Sequence, residues 1–154
     1  MLSNANRAEF RRVDHIGVVV ESLAEAHHWL GEIFGLPVLR RIENPVGKIR
    51  GVFYACGDIA IEVLEIGDPA LRRQRLGTGT RARIEHIAVE VDKLHAALAA
   101  LSPLGVRTTL PEPRRSAETL SMWTIAETTG GISYQLMEKG RAPDTGGSSS
   151  GSSR

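Results

Sequence analysis

The chain has a single cysteine, Cys56, among its 154 residues, so no disulfide can form within it. Cys56 sits in an apolar run and is expected to pack as a small hydrophobe. No stretch approaches 18 consecutive apolar residues, which excludes a transmembrane helix. Residues 1–12 lack the apolar core of a secretory signal, and a reducing cytoplasm is the expected setting. There is no excess of one charge: 19 Lys and Arg stand against 18 Asp and Glu, for a net charge of +1. Nothing therefore points to nucleic acid or to a membrane surface as a partner. Local arginine clusters do occur, as Arg40-Arg41, Arg72 to Arg83, and Arg114-Arg115. They read either as solvated surface or as a rim that steers an anionic small molecule.

What the chain does have is a repeat. VDHIGVVVESLAEA, starting at Val13, aligns with IEHIAVEVDKLHAA, starting at Ile84. Acid-His-Ile recurs as Asp14-His15-Ile16 and Glu85-His86-Ile87. Further along, IAIEVLE from Ile59 aligns with ISYQLME from Ile132, placing Glu62 opposite Gln135 and Glu65 opposite Glu138. Two matched segments in the same order, at offsets of 71 and 73 residues, indicate duplication.

Each copy reads as strand, helix, then three strands. In the first, Asp14–Val20 is a strand and Ser22 opens a helix through an S-x-x-E capping box with Glu25. The stripe Leu23, Ala26, Leu30, Ile33, Phe34 follows, ended by Gly35 and Pro37. Strands are expected over Leu36–Ile42, Lys48–Cys56 and Ile59–Ile66. In the second, Ile84–Val91 is a strand, Asp92 an N-cap, and Leu94, Ala97, Leu98 and Leu101 a helical stripe. Strands are expected over Val106–Thr109, Leu120–Ala126 and Ile132–Glu138. The boundaries are thus an N-terminal arm 1–12, a domain 13–139 made of module one (13–67), a polar, flexible linker (68–83) and module two (84–139), and a Gly/Ser-rich tail 140–154. The tail has no large apolar residue and is expected to be disordered.

Parity along the strands selects candidate ligands. Ile16, Val18, Val20 and Ile87, Val89, Val91 form β-branched faces that pack on the helices. His15 and His86 then point to the other, concave side, as does Glu62, with Gln135 in the equivalent place. Related by a pseudo-two-fold axis, His15, Glu62, His86 and Gln135 can converge on one divalent ion, with Co, Ni, Zn, Mn and Fe all compatible with such donors. Open coordination positions would polarise a substrate carbonyl. The remaining histidines, His27, His28 and His95, fall on helices as surface or packing residues. Trp29 is expected to pack on its helix, and Trp123, on a strand, to wall a substrate pocket.

These segments together resemble the vicinal oxygen chelate superfamily over roughly Val13 to Glu138. VDHIGVVVESL, IEVLE, IEHIAVEVDKL and GGISYQLME are most similar to methylmalonyl-CoA epimerases and glyoxalase-like proteins. The resemblance implies an α+β fold of two tandem βαβββ modules forming an open half-barrel sheet around a metal site. It implies the same four ligand positions, frequent homodimers, and a carbonyl or acyl-CoA substrate. One departure stands out. The last ligand position in such epimerases and glyoxalases is typically a glutamate that doubles as a base, whereas Gln135 cannot accept a proton at neutral pH. A second base is expected before the third strand, where only Glu43 supplies a carboxylate. Glu62 and Glu43 are the candidate proton-transfer residues. The expected activity is a metal-dependent isomerase, epimerase or lyase working by enolate stabilisation. The alternatives are a non-catalytic small-molecule binding protein of the same fold and an Fe(II)-dependent dioxygenase.

Overall fold

In a computed structural model, which describes residues 7–140 except Glu118, eight strands form one curled mixed sheet, an open half-barrel. The elements are β1 (Arg12–Val20), α1 (Leu23–His27), β2 (Val38–Asn44), β3 (Ile49–Cys56) and β4 (Ile59–Ile66). Then come α2 (Pro69–Arg75), β5 (Ala82–Glu90), α3 (Leu94–Leu101), β6 (Arg114–Ser116), β7 (Thr119–Trp123) and β8 (Ser133–Lys139). The strand order β2-β3-β4-β1-β5-β8-β7-β6 reads the same from either edge once the two modules are matched. β1 and β5 are antiparallel at the centre, and each runs parallel to the last strand of its own module, β4 or β8. The pseudo-two-fold axis therefore passes between β1 and β5. Residues 1–6 of the arm and 141–154 of the tail lie outside the described residues, and Arg12 belongs to β1.

The alternating apolar faces pack as their parity requires. Val20, Val52, Tyr54 and Val63 form one core, joined by Val18 and by Leu23, Ala26 and Leu30 of the first helix. Val89, Val91, Met122 and Leu136 form its counterpart with Leu94 and Ala97 of α3. A third core lies on the concave face, where Val19, Leu64 and Ile66 meet Leu76. The glutamates matched in the repeat, Glu65 and Glu138, do equivalent work. Each carboxylate accepts the first amide of its module's helix, Leu23 N–H or Leu94 N–H, at 2.8 Å, satisfying a donor the helix itself cannot.

Several local expectations need correction. The linker is not simply flexible: Asp68 caps α2 by accepting Leu71 N–H at 2.8 Å, Pro69 occupies its first turn, and Leu76 is buried behind it. Asp92 is not an N-cap; Lys93 holds that position without a side-chain bond, and Asp92 pairs with Arg11. The capping box at Ser22 is half made, because Ser22 accepts from Glu25 N–H while the Glu25 carboxylate turns to Arg81. The first helix continues past α1 as a π-helical turn over His28–Ile33. No strand forms over 106–109 beyond a single bridge, Thr108 with Thr124, and β6 takes the edge instead. Cys56 is exposed, since β3 ends on it at the turn into β4.

Candidate metal centre

Three of the four expected ligands meet. Nε2 of His15 and Nε2 of His86 are 3.3 Å apart, and each is 3.4 Å from Oε2 of Glu62. All three side chains are buried, and these are their ring nitrogens and carboxylate oxygen facing one point. Ligands about 2.0–2.1 Å from a tetrahedral ion stand roughly 3.3–3.4 Å from one another. The three atoms thus match one triangular face of such a coordination shell. No buried side-chain polar atom among the described residues lacks a partner, so the donor set, not an orphaned atom, is what fits an ion.

The register explains the convergence. One row across the sheet runs Glu62, Gly17, His86, Ser133, and the next runs Ala60, His15, Ala88, Gln135, Trp123. The two rows are related by the pseudo-two-fold axis. Gln135 therefore stands to His15 as Glu62 stands to His86, on the same face. Its amide Nε2 donates to Ser121 Oγ at 3.3 Å, which leaves Oε1, the atom able to coordinate, out of that bond. Trp123 pairs with Gln135 and lies half-buried beside it. Glu43 is not brought to this group. It is exposed on β2 opposite Arg50, while its neighbour Ile42 turns to the concave face and packs with Leu64. A side chain one position along points the other way.

Sequence reasoning noted the acids before each histidine but gave them no task. The β1–β5 ladder shifts register at Asp14 and at Glu85, so each is the extra residue of a bulge. A bulge re-aims a side chain, and here it turns each acid toward its own histidine. Asp14 Oδ1 is 2.7 Å from His15 Nδ1, and Glu85 Oε2 is 3.4 Å from His86 Nδ1. With Nδ1 held by a carboxylate, Nε2 is the nitrogen each ring turns toward Glu62, and the one able to coordinate an ion. Arg75 of α2 grips Glu85 with two bonds of 2.6 Å, and Lys139 pairs with Asp14.

Gly17 was also missed. A Cβ there would sit 2.0 Å from Cε1 of His86, so only glycine admits that ring. The one available signal was a glycine interrupting the inward face of an otherwise Val-rich strand.

The charges are tightly coupled. Burial opposes ionisation of the His86 ring, but hydrogen bonds to Glu62 and Glu85 outweigh it and raise its pKa to about 9. His15 is raised against the same burial by Asp14 and Glu62. Burial likewise opposes the charge on Glu62, and the two imidazoles prevail, holding it at about 2. Without a cation the cluster holds its charge by keeping protons; a divalent ion would replace them.

The sequence profile described as "Glyoxalase/Bleomycin resistance protein/Dioxygenase superfamily" matches residues 14–123. An uncharacterized protein, YqjC, of Bacillus subtilis (strain 168) is 28% identical over 132 residues, covering 82% of this chain and 91% of its own. The crystal structure of methylmalonyl-CoA epimerase from Mycobacterium tuberculosis superposes with a TM-score of 0.76 at 22% identity, covering 92% of this chain and 94% of that one. The hypothetical protein BH1468 from Bacillus halodurans C-125 gives 0.73 at 24% identity, covering 85% and 96%. At such identities the structural likeness establishes the shared fold.

Proposed function

The chain belongs to the glyoxalase/bleomycin resistance protein/dioxygenase superfamily, and from that premise we propose that it is a metal-dependent isomerase or lyase acting on a carbonyl or thioester substrate. The observation that carries this reading is the buried triangle of His15 Nε2, His86 Nε2 and Glu62 Oε2, with edges of 3.3–3.4 Å. Gln135 is the fourth ligand in this reading. A divalent ion held there supplies Lewis acidity, lowering the cost of negative charge on a substrate carbonyl oxygen and so of removing the adjacent proton.

The chain's own groups divide the rest of the work. Asp14 and Glu85 fix the two rings so that only Nε2 faces the centre. Glu62 directs Oε2 at both rings, which leaves Oε1 to take and return a substrate proton. Trp123 walls the cleft beside Gln135. A reaction with a base on each side of the substrate carbon needs a second carboxylate, and neither Gln135 nor the outward Glu43 supplies one. One-base chemistry, in which a proton leaves and returns on the same face or a leaving group departs, suits this site better than two-base epimerisation. Methylmalonyl-CoA, a ligand of one solved epimerase of this fold, belongs in the substrate panel as the test of the two-base alternative.

The test is metal analysis of tag-free protein, followed by α-proton exchange into deuterated water over a panel of 2-methyl thioesters and α-hydroxy carbonyls. Exchange should appear with metal and vanish with chelator. A metal-loaded protein that exchanges no member of the panel would overturn the catalytic reading and leave a binding protein.

A further inference from the structure

One cavity lies away from the candidate metal centre. It has a volume of about 410 Å³ and lies on the opposite side of the sheet, behind module one. Its floor is Val18, Val20, Ile61 and Val63, the helix-facing side of β1 and β4, and its wall is Ala26, Trp29 and Leu30 of the first helix. Trp29, expected to pack on its helix, is half exposed here. Arg81 stands at the edge, and also lines a second, basic cavity of about 270 Å³ with Arg72 and Arg73.

The duplication explains why the space is open. In module two the segment before β1 covers the equivalent place: Ala8 packs on the α3 core, and the Phe10 ring meets Tyr134 at 5.8 Å. The segment before β5 is its counterpart in module one. At the same offset of 71 residues, Ala8 corresponds to Gly79 and Phe10 to Arg81. Tyr134, at the offset of 73, corresponds to Ile61 on the cavity floor. Gly79 has no side chain, and its φ of +71° disfavours any other residue. Arg81 turns outward to Glu25. A half-exposed phenyl ring lies over one copy of this slot, and none of the described residues takes the equivalent place in the other.

We propose that this cavity is a binding site for a small amphipathic anion, with a ring-sized apolar body against Val18, Val20, Ile61 and Trp29 and its carboxylate or sulfonate on Arg81. The volume falls in the range of ordinary small-molecule sites, which combine apolar walls with one charged anchor. The Arg81–Glu25 pair is a surface pair, with side chains 72% and 41% exposed, and such pairs are weak enough for a ligand anion to displace. Arg72 and Arg73 in the adjoining cavity add positive potential on the same side. This site does not depend on the metal reading, because the sheet separates the two.

The experiment uses 8-anilinonaphthalene-1-sulfonate, with uncharged N-phenyl-1-naphthylamine as its comparison, in a Trp123→Phe background where Trp29 is the only donor for energy transfer. Saturable one-site binding with transfer from Trp29 is expected, unchanged by chelator. Arg81→Phe, which reproduces in module one the ring present in module two, should abolish binding of both probes. Arg81→Gln should weaken the anionic probe about tenfold and leave the neutral one unaffected. Should Arg81→Phe fail to fold, Ala26→Leu fills the cavity from the helix side and carries the same expectation. Binding that survives these filling variants, equal losses of both probes in Arg81→Gln, or no binding at all would overturn the proposal. So would a Trp29→Glu variant that dissociates a dimer, since the cavity would then be an interface between two copies of the chain.

Discussion

Replacing Gly17 by alanine tests the proposed metal centre at its tightest contact. The added methyl group would lie 2.0 Å from Cε1, 2.4 Å from Nδ1 and 2.5 Å from Nε2 of His86. Carbon atoms rest comfortably at about 3.5–4.0 Å, so the ring must withdraw by roughly 1.5 Å (3.5 minus 2.0). Metal–ligand distances tolerate only about 0.2 Å. His86 Nε2 would therefore leave the triangle it forms with His15 and Glu62. The expected loss of metal affinity is at least that of removing an outer hydrogen-bond partner, about 100-fold, with roughly 1–3 kcal/mol of destabilisation from overpacking. The affinity is read by competition with a chelating dye, and the loss of a nitrogen ligand by the visible spectrum of the cobalt-loaded protein. Ala88 provides the control. It is the pseudo-symmetric counterpart of Gly17 and already carries a methyl group beside His15, so Ala88→Gly should bind metal within a few-fold of the parent. A Gly17→Ala protein with parental affinity and an unchanged cobalt spectrum would refute the geometry of the centre.

Other perturbations follow from the same structure. Glu85→Gln and Asp14→Asn each remove a carboxylate from a ring Nδ1 and should weaken metal binding about 10–100-fold by titration, with Arg75→Met giving a smaller loss in the same direction because it frees Glu85. Gln135→Glu adds a second ionisable donor opposite Glu62; metal should bind more tightly, and α-proton exchange should rise, whereas lower exchange with tighter metal would argue that the amide was needed for the native reaction. Glu138 is held below the ordinary carboxylate range chiefly by the Leu94 amide it accepts. Its stabilisation is therefore present above the unfolded pKa and is lost as pH falls through the depressed folded value. Partly exposed as it is, Glu138→Gln should cost about 0.5–1 kcal/mol at pH 7, a difference that shrinks in denaturant titrations as pH falls below the ordinary glutamate range.

Much of the framework was readable because it depends on local periodicity. The period of two along β1 and β5 placed Ile16, Val18 and Val20 on the helix side and His15 opposite, and the structure packs Val18 and Val20 under the first helix. Matching Glu65 to Glu138 was also visible, although its purpose, capping both helices across the sheet, was not. Three of the errors share one origin. Asp92 and Glu25 looked like local caps, but their carboxylates are drawn to Arg11 and Arg81, which are distant in sequence. The polar linker hid α2 because its anchoring residue, Leu76, finds its partners on β1 and β4.

By itself, then, the sequence determined the duplication and the candidate donors, since covalent order and residue type carry those directly. Only the tertiary structure decided which donors meet. The pairing of β1 with β4 on one side and β5 on the other set Glu62 and His86 across Gly17, and the two bulges in the β1–β5 ladder turned Asp14 and Glu85 onto the rings. Alternation along β2 left Glu43 outside, and the unlike segments before β1 and β5 left module one with an open slot where module two holds Phe10. The meeting of the two histidines depends on the register between strands some 70 residues apart, and a one-residue slip in that register would exchange the faces.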